Sequence, residues 1–222
     1  MARELFAGLT DGGFRSWLFQ LHRQSLIYTE RTPEHPCIIL TQQGERAVRD
    51  SFPALNPRWE DWAGEWQLLL FLQAPAGDAQ FRYLRQLLLK EGGIPLARGA
   101  YLFPQSVSQR ILVECEQRYS QSVALCFVKD WVFGAQEPVI IDYYDLNSKA
   151  LLYSSISTEL DRLLAENEGE KRLIKKHKMQ IYSELDRLFE LALEDPGFTS
   201  HYFPEVTRVG QLLGKVHQLL HL

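Results

Sequence analysis

From Trp59 onward the apolar positions fall into blocks whose period changes in a regular order. Gln67 to Leu72 (QLLLFL) is a continuous apolar run of strand length, although so short a run also fits a buried helix. Pro75 and Gly77 end it, and Asp78 is placed to cap a helix. Phe81, Leu84, Leu87 and Leu88 then recur at helical spacing, with Arg82, Arg85 and Lys90 on the other side, until Gly92-Gly93 stops the helix. Ile94 to Phe103 predicts two short strands around Arg98-Gly99, closed by Pro104. Ser106 to Tyr119 carries Val107, Ile111, Leu112 and Cys115 as a helical stripe, and Ser122 to Val128 (SVALCFV) predicts another strand. The order strand, helix, two strands, helix, strand is that of a split βαβ, or ferredoxin-like, unit over residues 59–128. Trp59, Trp62 and Trp66 stand at its start; strand alternation would send Trp62 and Trp66 to one face, as structural residues.

Residues 1–52 predict a separate small unit. Glu4 to Leu9 is a short helix candidate and Thr10-Asp11-Gly12-Gly13 a turn. Phe14 to Gln24 (FRSWLFQLHRQ) is helical by period, with Phe14, Leu18 and Leu21 on one face and Arg15, Ser16, Gln20 and Arg23 mostly elsewhere. Ile27 to Thr29 and Cys37 to Leu40 are short strands flanking a polar loop that two prolines stiffen and that carries Arg31 and His35. Thr41 caps a closing helix through Arg49. Helix, turn, helix and two-stranded ribbon is the winged-helix plan, in which the second helix enters the major groove. Solvated surface charge accounts for Arg15 and Arg23 as well. Ser51 to Pro57 (SFPALNP), with two prolines and no period, predicts a linker.

After Val128 the pattern turns helical. Lys129 to Asp142 is irregular; Ser148 to Asn167, Glu170 to Leu193 and Val206 to Leu222 predict three helices, so 142–222 is a helical C-terminal domain. Val209, Leu212, Leu213, Val216 and Leu220 mark the buried side of the last. The strings Ser157 to Leu163 and Tyr182 to Leu188 nearly repeat, as amphipathic patterning rather than duplication.

Composition is ordinary for 222 globular residues: 45% hydrophobic and a net charge of −4. No apolar run reaches the roughly 18 residues of a membrane span, and no signal-peptide pattern accompanies Arg3 and Glu4, so the expectation is a cytoplasmic protein. Cys37, Cys115 and Cys126 are odd in number and widely spaced, which predicts small buried residues rather than disulfides or zinc ligands. Acidic net charge leaves room for a DNA-binding module with a local basic face. Residues 1–52, however, hold six Lys/Arg against six Asp/Glu.

No phosphate loop, nucleophile elbow or HExxH pattern occurs. His217 and His221 have metal-ligand spacing but no third ligand nearby, which reads as surface histidine. Lys171 to Lys178 (KRLIKKHK) is the densest basic run, either a solvated helix face or a phosphate-binding patch. Asp142 and Asp145 suit a turn as well as a metal. No catalytic residue, metal or cofactor is expected.

These residues resemble the PaaX family, repressors of bacterial phenylacetate-degradation operons. Phe14-Arg15, Leu18, Leu21, Arg23 and Ile27 are similar to that family's recognition helix, and Leu40-Thr41-Gln42-Gln43-Gly44 to its signature after the wing. Trp62-Ala63-Gly64-Glu65-Trp66, with Leu84-Arg85, Leu87, Gly93, Leu96, Gly99 and Pro104, is similar to its central domain. Asp195-Pro196 and then Tyr202-Phe203-Pro204 look like its segment before the last helix. The family begins with a helix before the one expected at Glu4, so the winged-helix-like unit is expected to lack its first helix. The family often has Arg in place of Gln20 and Gly in place of Ser25. The related ferredoxin-like nuclease of CRISPR systems needs an Asp where this chain has Leu72-Gln73-Ala74-Pro75.

The expected fold class is therefore α/β (α+β): a winged-helix-like unit, a ferredoxin-like βαββαβ dimerisation domain and a helical domain. The resemblance implies a homodimeric repressor on double-stranded operator DNA, released by a small effector such as an acyl-CoA, without membrane partners. Arg15, Ser16, Gln20, Arg23, Arg31 and His35 are the expected DNA contacts. An interaction protein without DNA binding, or a ferredoxin-like nuclease, is the alternative.

Overall fold

The computed structural model describes residues 10–31, 36–59, 62–73, 79–104, 106–167 and 171–221. The fold mixes helices with antiparallel sheet. Contacts group the described residues into two compact units, one built from residues up to Trp59 together with those from Ser148 onward, the other from the residues between. The first thus joins two stretches that the sequence separates into terminal domains.

The middle unit contains β3 (Trp66–Phe71), α3 (Ala79–Lys90), β4 (Ile94–Ala97), β5 (Ala100–Pro104), α4 (Gln109–Arg118), β6 (Val123–Val128) and α5 (Glu137–Tyr144). Its sheet has the order β4-β5-β3-β6 with every pairing antiparallel. The run from Gln67 is thus strand as far as Phe71, paired on both sides, and Leu72 lies just past its end. Leu69, Phe81, Leu84, Leu88, Tyr101 and Ile111 form the core between the sheet and α3 and α4. Gln67 is buried among them, and its Oε1 accepts a 2.8 Å hydrogen bond from the Val107 N–H, which satisfies a polar group that water cannot reach. Trp66 is the largest fully buried side chain of the sheet. Trp62 precedes the strand instead of lying in it, so alternation does not relate the pair; the two indoles meet edge to face with centroids 5.2 Å apart. Gly99 takes φ +84° in the β4–β5 turn, beside Phe71.

Helix α5 lies where the sequence predicts an irregular stretch, and it includes Asp142. Pro138 sits in its first turn, where the missing N–H is not needed, and Ile140 is fully buried. Asp145 is its left-handed C-cap at φ +49°.

The other unit holds α1 (Asp11–Arg23), β1 (Ile27–Arg31), β2 (Pro36–Leu40), α2 (Gln42–Ser51), 3-10 turns at Pro53–Leu55 and Pro57–Trp59, α6 (Leu146–Asn167), α7 (Lys171–Glu194), α8 (Thr199–Tyr202) and α9 (Val209–His221). Tyr153, Ile156, Leu160, Leu163, Ile181, Leu188, Leu212 and Val216 fill the helical core. The repeated string serves both long helices alike. Leu160 and Leu163 in one copy, Leu185 and Leu188 in the other, are buried, while Arg162–Glu159 and Arg187–Glu184 pair at i,i+3. Ser51–Pro57 is no free linker. Phe52, Ala54 and Leu55 pack against the helical core, and the Phe52 ring lies 5.7 Å from Phe189. Its prolines start 3-10 turns, which is why no strand or α period shows.

Cys37 and Cys126 are exposed and Cys115 is half-buried, in place of the expected burial. Cys37 and Cys126 lie on two-stranded or edge positions with one uncovered side.

Candidate nucleic-acid interface

Helix α1 begins earlier than its apolar period. Thr10, read from sequence as part of a turn, is the N-cap: its Oγ1 accepts from the Gly13 N–H at 3.2 Å. Asp11 in the first turn and His22 and Arg23 in the last match the helix dipole. At 100° per residue Phe14, Leu18 and Leu21 share one side. Arg15, Ser16, Gln20 and Arg23 are all exposed. From Arg15 to Arg23 is about 12 Å along the axis. In their midst is Phe19, 67% exposed, which the apolar period does not select and which belongs to the outward surface. An aromatic ring among arginines and a glutamine can pack on a thymine methyl.

The helix is fastened at its end. The Leu26 N–H donates to the Leu21 carbonyl at 2.9 Å, and Ser25 takes a left-handed φ of +56°. Glycine is the residue for which this conformation carries no steric cost, and a serine here is held in it by the surrounding hydrogen bonds. Ile27, grouped by the resemblance with the recognition helix, instead opens β1 and is buried. β1 and β2 pair antiparallel from Ile27↔Leu40 to Arg31↔Pro36. His22 Nε2 and Thr29 Oγ1 are 2.9 Å apart, joining helix and ribbon. Arg31 is exposed at the far end of the strand, about 13 Å from Ile27 at 3.3 Å per residue. His35 and the predicted Glu4–Leu9 helix lie outside the described residues.

The Leu40-Thr41-Gln42-Gln43-Gly44 signature has a physical basis here. Thr41 Oγ1 accepts from the Gly44 N–H at 3.0 Å, capping α2, and donates to the Ser25 carbonyl at 2.5 Å. The Thr41 N–H donates to the Leu26 carbonyl at 3.0 Å. Gly44 is buried against that same carbonyl; a Cβ there would lie 1.9 Å from the Leu26 oxygen. Gly44→Ala is therefore expected to cost about 2–3 kcal/mol, since backbone must move to admit the methyl. Thermal unfolding followed by circular dichroism checks this; an unchanged Tm would contradict the close approach.

Between α1, the ribbon and α2 lies a cavity of about 580 Å³. Phe14, Trp17, Leu18, Ile38, Val48 and Phe52 are among its walls, and Ser51 supplies the only side-chain hydroxyl among the described residues. Its size and apolar lining suit one small hydrophobic group.

Other sequence candidates show less. Lys171–Lys178 opens α7; His177 Nε2 stands 3.5 Å from Glu166 and the Lys178 ammonium lies 5.9 Å over the Tyr182 ring. His217 is exposed on α9. Among the described residues no group of three His, Cys, Asp or Glu side chains could hold a metal, and no helix is long and apolar enough to cross a membrane.

No family model matches the chain, and no curated protein does. Among solved structures it is similar to the uncharacterized protein Rv0674 from Mycobacterium tuberculosis, with 14% identity and a TM-score of 0.48, over 96% of this chain and 81% of that one. A likeness at that level carries no function across.

Proposed function

We propose that the protein is a DNA-binding transcriptional regulator of the PaaX type, a homodimeric repressor released by a small effector. The observation that carries the reading is the two-sidedness of α1. Phe14, Leu18 and Leu21 turn to the cavity beside the ribbon, while Arg15, Ser16, Phe19, Gln20 and Arg23 are offered to solvent along about 12 Å. In a winged helix that outward surface enters the major groove: Arg pairs with guanine, Gln with adenine and Ser with phosphate, while Arg31 adds a backbone contact from the ribbon. The middle unit's strand order supports a ferredoxin-like domain, since its first strand is central and its third lies between first and second.

The effector's apolar part belongs in the 580 Å³ cavity. One wall of that cavity is α1 itself, so an acyl or aromatic group seated there favours one position of the reading helix over another. The neutral charge of residues 1–52 favours a second reading, an interaction protein that does not bind DNA. A gel shift on DNA upstream of the protein's own gene separates them. The regulator gives a discrete complex whose affinity falls with salt at about 0.9 per phosphate neutralised. The interaction protein gives none at any salt.

A further inference from the structure

The two edges of the four-stranded sheet are built differently. β4 is a four-residue strand that carries Pro95, which has no N–H to offer, and its pairing with β5 is irregular between Pro95 and Ala97. Those are the devices that keep an edge from pairing with another chain. β6, the opposite edge, has none of them. It is six residues long, regular against β3 throughout, and contains no Pro, Gly or charge (VALCFV).

Its outward hydrogen-bonding groups are set by the ladder. The Leu72 N–H donates to the Ser122 carbonyl at 2.8 Å, next in register after Phe71↔Val123. Even-numbered residues of β6 therefore bond to β3, and the N–H and C=O groups of Leu125 and Phe127 point away from the sheet. The side chains there are equally uncovered: Phe127 is 74% exposed, and Leu125 and Cys126 are exposed too. Trp131, Val132 and Phe133 extend the apolar surface just beyond the strand.

We propose that β6 is the edge at which two copies of this chain join, β6 pairing antiparallel with β6 of the partner about a two-fold axis through Cys126. This gives the homodimer of the proposed function its interface and rests on that reading. Pairs facing one another across a sheet must lie on the same face, and a two-fold axis at Cys126 meets that condition. Leu125 then faces Phe127 of the partner subunit, and Phe127 faces the partner's Leu125. Both are hydrogen-bonded pairs, so every outward group on the two residues is used. The strand is self-complementary, as a two-fold interface must be. A six-residue strand pair falls short of the roughly 800 Å² per partner of a stable interface, and Trp131, Val132 and Phe133 lie where they add to it.

Cys126 would meet its own copy as a non-hydrogen-bonded pair, with Cα atoms about 4.5 Å apart, within disulfide reach. The test is oxidation with diamide of a Cys37→Ser/Cys115→Ser variant, in which Cys126 is the sole thiol. The expected product is a covalent dimer of about 51 kDa, twice the 25.7 kDa chain, formed as two thiols give two electrons and two protons to diamide. Phe127→Lys, at an exposed position, is expected to yield monomer in light scattering with an unchanged Tm. A wild-type dimer that neither cross-links through Cys126 nor dissociates with Phe127→Lys overturns the β6 interface and leaves the homodimer standing. A 25.7 kDa particle at micromolar concentration overturns both.

Discussion

Asp195→Ala is expected to lower the free energy of unfolding by about 3–5 kcal/mol, because it strands a buried group of donors. The Asp195 carboxylate is almost fully enclosed. Its Oδ2 accepts from the Tyr153 hydroxyl and its Oδ1 from the Gly197 N–H and the Thr199 hydroxyl, each at 2.8 Å. One side chain thereby ties α6 to the turn after α7 and to the start of α8. Burial, together with the neighbouring carboxylate, holds the Tyr153 phenol well above the usual tyrosine range, so it remains a donor. Because that pKa is raised on folding, the contribution is present at neutral pH and is lost only as pH rises beyond about 10. Gly197 comes next but one at φ +102°, where a Cβ would stand 2.1 Å from the Trp59 indole nitrogen. The Asp195-Pro196 motif is thus a structural node. Urea denaturation of the variant measures the effect; a loss under about 1 kcal/mol would show that the three donors are satisfied without the carboxylate.

Trp66→Ala is expected to cost about 3–5 kcal/mol as well, through loss of buried area and the cavity left behind. Trp66 is 1% exposed, pairs with Pro104 on one side and Val128 on the other, and carries the edge-to-face contact with Trp62. Trp66→Phe keeps an aromatic edge and should recover a large part of the loss. A Tm for Trp66→Ala equal to wild type would show that the central strand does not depend on this ring.

The middle unit was the most legible part of the chain because its signals are local. Apolar runs of strand length, Gly92-Gly93 and Arg98-Gly99 fix where each element stops, and the observed strands depart from the pattern by a residue or so. Helix α5 escaped because eight residues with Pro138 in the first turn give too little period to distinguish from a loop. The Gly12-Gly13 pair masked the start of α1, where Thr10 and the helix register outweigh two weak helix formers. Which distant segments share a core was not legible at all. Nothing in Phe52 or Leu55 announces helices a hundred residues away, yet those contacts turn the expected linker into part of the helical core. Of the candidate interface, the polar residues of α1 were found by elimination from the apolar stripe. Phe19 was not singled out because it lies off the apolar stripe and is not polar, so neither criterion selects it.

Whether α1 reads DNA is tested most directly by fluorescence anisotropy of wild-type protein and an Arg15→Ala/Arg23→Ala variant on DNA from upstream of its own gene. Both arginines are exposed, so the variant should keep its Tm and its oligomeric state. Saturable, salt-sensitive binding is expected of wild type, and loss of specific binding of the variant. A variant that binds this DNA as tightly as wild type would contradict a reading role for α1.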